Sequence, residues 1–116
     1  MSEPQPVRIG VVGYGLGGRV FHVPLITSSP ALELVGVVTT NDERRAQLAA
    51  DHPDVPSLDG LQALVDLGAE AVAISSATGS HTANADEALD LGLHVVVDKP
   101  LAMNAADARG TVALAE

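Results

Sequence analysis

The 116-residue chain contains one lysine, Lys99, set between Asp98 and Pro100 directly after the apolar run Leu93-His94-Val95-Val96-Val97. An ammonium group at a strand end can hydrogen-bond a substrate hydroxyl and favour its alkoxide as a hydride leaves. The plainer alternative is a surface lysine that closes a strand. A second constellation lies near the other end of the chain. Gly13-Tyr14-Gly15-Leu16-Gly17-Gly18 fits G-x-G-x-x-G and directly follows the β-branched run Val7–Val12. In that context Gly13 permits a tight turn, Gly15 lets the backbone approach a pyrophosphate, and Gly18 lets a helix pack closely on a sheet. The helix that follows would offer its N–H groups and the positive end of its dipole to phosphates. Tyr14, Leu16 and Gly17 complete a loop expected to flank a dinucleotide, although a packing role for Tyr14 is equally simple.

A dinucleotide site of this kind selects its cofactor at the end of the second strand. An acid there holds the ribose 2′-hydroxyl of NAD, whereas a nearby Arg accommodates the 2′-phosphate of NADP. Here the strand ends in Val38-Thr39-Thr40-Asn41, with Asp42 and Glu43 slightly late and Arg44-Arg45 next. Neutral groups followed by arginines favour NADP, with NAD as the alternative. Thr39, Thr40, Asn41 and Arg44 are the expected contacts, and at least one of Arg44 and Arg45 is expected to be an ordinary solvated helix residue.

Composition removes other chemistries. Fifteen acidic residues against six basic ones give a net charge of −9, unfit for a nucleic-acid face or an anionic membrane surface. The absence of cysteine excludes a thiol nucleophile, a disulfide and a thiolate metal site. No apolar run reaches the ~18–20 residues of a membrane-spanning helix. Histidines 22, 52, 81 and 94 form no compact ligand spacing, so no metal is expected. His81 stands at a helix start on the expected ligand edge, where cofactor contact and a purely local role are both open. Ser75 and Ser76 do not form G-x-S-x-G, and the chain has no P-loop motif. The acidic N-terminus without a basic region predicts no signal peptide and a cytoplasmic protein. Abundant Ala and Val with a single Lys fits a GC-rich bacterial genome.

The elements that must position these groups alternate. Apolar runs Val7–Val12, Leu32–Val38, Ala71–Ile74 and Leu93–Val97 are nearly continuous, as in parallel strands covered on both faces. A weak strand near Val55 completes the set. Helices are expected over Arg19–Ser28, with Pro24 tolerable only in a first turn, then over Asp42–Ala50, capped by Thr40 or Asn41. Further helices are expected over Asp59–Leu67, ending at Gly68, over Thr82–Leu91, ending at Gly92, and from Asn104 and Asp107 to Glu116. Residues 1–6, with Pro4 and Pro6, read as a flexible leader. Residues 7–116 read as one domain. The alternation predicts an α/β, doubly wound parallel sheet of strand order 3-2-1-4-5. Ending straight after a helix, where a six-stranded sheet would need one more strand, it reads as an N-terminal fragment or an isolated domain rather than a complete enzyme.

The stretch GYGLGGRVFHVP at 13–24, the fourth-strand tip leading to His81, and GLHVVVDKP at 92–100 together resemble the Gfo/Idh/MocA oxidoreductases, which include glucose–fructose oxidoreductase and inositol dehydrogenases. The resemblance covers residues 7–116 and is nearest to the NADP-dependent scyllo-inositol dehydrogenase branch. It implies a Rossmann domain for NAD or NADP and a C-terminal α/β domain, absent from this chain, that holds the substrate and the oligomer interface. The family's Glu-Lys-Pro maps onto Asp98, Lys99 and Pro100, with the acid one methylene shorter. Lys99 is the implied catalytic residue. Where the family often has Thr-Pro-Asn, this chain has Ser76-Ala77-Thr78, leaving Ser75, Ser76 and Thr78 to donate hydrogen bonds. The NADP branch commonly has Arg where Asn41 stands, which shifts that role toward Thr39, Thr40 and Arg44. The implied substrate is a polyol, inositol or sugar, and the implied full-length protein a homo-oligomer. The family's proton-transferring Asp and His lie in the missing domain, so this chain is expected to bind cofactor without turnover. The rival readings are a non-catalytic dinucleotide-binding or sensor module and, less well matched, an S-adenosylmethionine-dependent methyltransferase domain.

Overall fold

The structure, a computed structural model, describes residues 5–15, 17–76, 81–97 and 105–116. Five parallel strands are β1 (Val7–Val12), β2 (Leu32–Val38), β3 (Ser57–Leu58), β4 (Ala71–Ile74) and β5 (His94–Val97). They stand in the order β3-β2-β1-β4-β5. The expected doubly wound sheet is therefore present. Leaving β1 toward β2 and β3 on one side, and crossing to β4 and β5 on the other, right-handed connections must place helices on both faces. Helices α1 (Val23–Ser28) and α2 (Asp42–Asp51) pack on one face, α3 (Leu61–Asp66) and α4 (His81–Asp90) on the other, and α5 (Ala105–Ala115) follows β5.

The core divides accordingly. Ile9 and Val11 of β1, Val37 of β2 and Ala73 of β4 meet Val23 and Ile26 of α1 and Leu48 of α2. Val12, Val72 and Ile74 point the other way, toward Leu61 and Leu64 of α3 and Ala88 of α4. The two-residue period of the strands thus feeds two apolar layers, which is why their sequence shows no polar alternation. Edge strand β5 departs from this. Its Val96 is 58% exposed, because a strand paired only with β4 lacks a neighbour on its other side.

Local details follow from turn chemistry. The predicted first helix is two pieces, a π-helical segment Gly17–His22 and then α1. Pro24 cannot donate a helical hydrogen bond, and its ring displaces the carbonyl one turn earlier. The wide turn absorbs that mismatch and leaves Pro24 in the first turn of α1. The weak strand lies two residues beyond Val55, at Ser57–Leu58, where the Pro56 carbonyl accepts from Val37 N–H at 3.0 Å. Asn41, not Thr40, caps α2, its Oδ1 accepting from Arg44 N–H at 3.0 Å. Helix α3 starts two residues later than expected, after an extended Gly60. Gly68 and Gly92 end their helices at positive φ, 89° and 83°, as their type predicts. Of the expected leader, residues 1–4 lie outside the described residues, as does the Asn104 cap of the last helix.

Candidate functional site

The carboxyl ends of all five parallel strands lie on one edge of the sheet, and the connections reverse direction between β1 and β4, where ligands of such sheets bind. Gly13 follows β1 there. Its N–H donates to the Val38 carbonyl at 2.8 Å, and Ser75 N–H donates to the Val12 carbonyl at 2.8 Å, so three strand ends are laced together. Gly13 has φ +98°, and a Cβ at that position would stand 2.7 Å from the Ser75 carbonyl oxygen. A Cβ on Gly18 would fall on the Gly13 carbonyl oxygen. Both glycines are therefore required by the turn itself. At Gly15 the neighbour differs in kind, since a Cβ would meet the Arg44 guanidinium at 3.3 Å. The bare glycine lets a cation from α2 lie across the loop.

The two adjacent arginines have different fates. Arg45 turns back into the protein, donating from Nε to the Thr39 carbonyl at 2.7 Å and pairing with Asp59. Arg44 has no side-chain partner among the described residues and lines two cavities. One, of about 400 Å³, lies between Tyr14, Gly15, Arg19 and Val20 and the α2 residues Glu43, Arg44 and Gln47, with Asn41 at its edge. The other, of about 260 Å³, is bounded by Val12, Gly13, Val38, Thr39, Thr40, Asn41, Arg44, Ser76 and Asn84. Two of the five arginines of an acidic chain thus border the larger cavity. Against them stands one acid in the lining, Glu43, so the cations outnumber the acids there, which favours an anion.

The remaining predicted residues divide. Thr39 is buried and Thr40 exposed, both against the smaller cavity. Tyr14 is 1% exposed, and its hydroxyl donates to Asp51 Oδ2 at 2.7 Å. The same oxygen accepts from Arg19 Nε at 2.9 Å. Tyr14 therefore packs in the α1–α2 core while also lining the larger cavity. Burial first, then the bonded Asp51 carboxylate, pushes the phenol up to about 12. The hydrogen bonds from Arg19 and Tyr14 hold the Asp51 carboxyl below its ordinary value, and Asp51 raises Arg19 in turn. His81 is buried at the start of α4, with Nε2 donating to the Ser76 carbonyl at 2.7 Å. One helical turn on, Asn84 Nδ2 donates to Ser76 Oγ at 2.8 Å. These two contacts tie Ser76, just after β4, to the first turns of α4. Leu16, Thr78, Asp98, Lys99 and Pro100 lie outside the described residues. The sequence reading missed Asn84, Arg19, Gln47 and Asp51. The spacing of His81 with Asn84, and of Arg44 with Gln47 and Asp51, would have placed each set on one helix face.

Across residues 7–116 the chain matches the model of an oxidoreductase family with an NAD-binding Rossmann fold, Gfo/Idh/MocA. It belongs to that family. The chain is 36% identical over 111 residues to the uncharacterized oxidoreductase YdgJ of Escherichia coli K12, an alignment covering 95% of this chain and 31% of that protein. It is 29% identical over 100 residues to the NADP(+) scyllo-inositol 2-dehydrogenase IolW of Bacillus subtilis, covering 85% of this chain and 27% of that protein. The crystal structure of an NAD-binding protein from Listeria innocua superposes with a TM-score of 0.84 at 31% identity, over 96% of this chain and 32% of that one. The chain thus spans about a third of the length of its curated relatives. A Gfo/Idh/MocA Rossmann domain carries a nicotinamide dinucleotide, and the glycine turn and uncovered Arg44 fit one. Among the described residues no cluster of three or more His, Asp or Glu is placed to hold a metal, and no helix is long and apolar enough to cross a membrane.

Proposed function

We propose that this chain is the NADP-binding module of a dehydrogenase that moves a hydride between the cofactor and a secondary alcohol of a polyol, inositol or sugar. Arg44 carries the cofactor choice: its guanidinium lies over Gly15 and borders both cavities at the β2–α2 turn with no carboxylate partner among the described residues, while Arg45 beside it is committed to Thr39 and Asp59. A bidentate guanidinium suits a phosphate monoester. Thr39, Thr40 and Asn41 supply neutral groups where NAD-binding relatives of the fold use an acid. The glycine loop, residues 13–18, would receive the pyrophosphate, and Ser75, Ser76, Thr78 and His81 would border the nicotinamide half. When bound, the nicotinamide supplies the hydride acceptor.

Lys99 follows β5, whose carboxyl end shares the sheet edge with Gly13. Its ammonium would donate to the substrate hydroxyl and stabilise the developing alkoxide, with Asp98 and Pro100 fixing its approach. Substrate selection and proton transfer fall to a further domain, and the whole protein is a cytoplasmic homo-oligomer. Parallel calorimetric titrations of the chain with NADPH, NADH and S-adenosylmethionine test the reading. NADPH is expected to bind tightest. Equal or tighter NADH binding would overturn the cofactor choice, and binding of S-adenosylmethionine alone would overturn the dehydrogenase.

A further inference from the structure

Arg44, Gln47 and Asp51 lie on one face of α2, the first and last about 10 Å apart along its axis. Opposite them, on the π-helical segment, stands Arg19. Its backbone N–H donates to the Gly15 carbonyl at 2.8 Å, and its Nε donates to Asp51 Oδ2 at 2.9 Å, an oxygen already accepting from Tyr14. The Nη groups of Arg19 have no bond among the described residues, and Arg19 lines the same 400 Å³ cavity as Arg44. The helical segment thus sets the backbone of a long, exposed side chain and Asp51 holds its Nε, with the Nη groups left for a ligand.

We propose that Arg19 is the second guanidinium of this cavity, gripping the same ribose phosphate as Arg44, and that Asp51 and Tyr14 are positioning residues that hold it there. The proposal rests on the NADP reading above and deepens it. A dianionic phosphate has three oxygens, more than one guanidinium fork engages, and two forks approaching from opposite walls leave it fewer unpaired acceptors. Fixing Arg19 in advance removes ordering entropy that binding would otherwise have to overcome. Asp51 also neutralises part of the Arg19 charge, and Glu43 borders the cavity as a further acid. That gives the test its sign. If Asp51 acted through charge alone, its removal would strengthen anion binding. If it positions Arg19, removal weakens it.

The experiment measures NADPH and NADH dissociation constants for the wild-type chain and for Arg44→Ala, Arg19→Gln, Arg19→Lys and Asp51→Ala, with circular dichroism to verify each fold. Arg19→Gln is expected to weaken NADPH roughly tenfold and leave NADH within about twofold. Arg19→Lys should fall between, since it keeps the charge and loses the planar fork. Asp51→Ala should weaken NADPH several-fold with NADH unchanged. A loss shared equally by NADPH and NADH would signify a structural role and overturn the proposal. So would tighter NADPH binding by Asp51→Ala. Failure of the wild type to prefer NADPH, or an unchanged preference in Arg44→Ala, would overturn the NADP reading and this proposal with it. A preference lost in Arg44→Ala but kept in Arg19→Gln would overturn only the role of Arg19.

Discussion

On the β1–β2 side of the crevice, polar side chains lean out into a cavity; on the β4–α4 side they bond to one another. The Arg44 guanidinium lies across Gly15 without a side-chain partner among the described residues, and Arg19 lines the same space. By contrast, His81 and Asn84 both spend hydrogen bonds on Ser76, one on its carbonyl and one on its hydroxyl. On the first side Arg19 is paired through Nε with Asp51, while the Arg44 guanidinium has no carboxylate partner among the described residues, a distribution that suits the anionic ligand proposed above. The second ties the end of β4 to the start of α4. Discrimination between ligands should therefore respond to changes on the β1–β2 side, and stability to changes on the β4–α4 side.

The largest effect is expected where the comparison has its hinge, at the glycine turn. Gly18→Val would drive a branched side chain into the Gly13 carbonyl, which is backbone and cannot swing aside. We expect a loss of about 3 kcal/mol or more, seen as a fall in Tm of roughly 10 °C or more, with ligand binding abolished. A Tm close to wild type would mean that the turn is looser than its contacts imply. Next, Arg44→Ala should weaken NADPH about 10–100-fold, the range of a lost charge-assisted hydrogen bond pair, and spare NADH. Arg45→Ala should instead lower stability by about 1 kcal/mol and leave the ratio of the two cofactors alone. Reversal of those two phenotypes would exchange their assigned roles.

His81→Ala probes the opposite side. It leaves the Ser76 carbonyl short of a donor and empties a buried position, so about 1–2 kcal/mol of stability should be lost with the NADPH-to-NADH ratio unchanged. A changed ratio would erase the contrast between the two sides. The smallest effect is a titration. Tyr14 is the only tyrosine and the chain has no tryptophan, so its phenolate absorbance can be read without overlap. The folded chain should titrate near pH 12, and Asp51→Asn should move that midpoint down, since Asp51 contributes both a hydrogen bond and a negative charge. Because the folded value lies above the ordinary 10.0, the stabilisation is complete below pH 10 and disappears as pH rises through about 12. Asp51 works at the other end of the scale. Its folded value lies below the ordinary 3.8, so its contribution is present above that pH and is lost as pH falls further. A Tyr14 midpoint near 10 would show that the phenol is neither buried nor held by Asp51 as described.

Much of this protein was legible from local pattern. Near-continuous apolar runs separated by capped helices specify covered parallel strands, and handedness then leaves few sheet orders. The glycine spacing is equally local, because it answers steric limits within one turn. Boundaries were less legible where proline intervened, as at Pro24 and Pro56, since how a chain absorbs a missing N–H depends on what packs beside it. The family resemblance rested on those same local motifs and on the Asp98-Lys99-Pro100 stretch after β5.

The cations and the tyrosine are another matter. Consecutive helix residues point about 100° apart, so sequence alone leaves open which of Arg44 and Arg45 faces the loop and which turns to Thr39 and Asp59. Tyr14 reads equally well as a loop residue flanking a ligand and as a core residue. The contact that assigns its hydroxyl reaches 37 residues away, to Asp51, and the one that orients Arg19 reaches 32. What the sequence by itself determined was the alternation of elements, the strand order it implies and the glycine turn, all consequences of short-range sterics and periodicity. Which charges were left uncovered, and which were consumed by the protein itself, only the tertiary structure decided, because that depends on groups from distant segments arriving within hydrogen-bond reach.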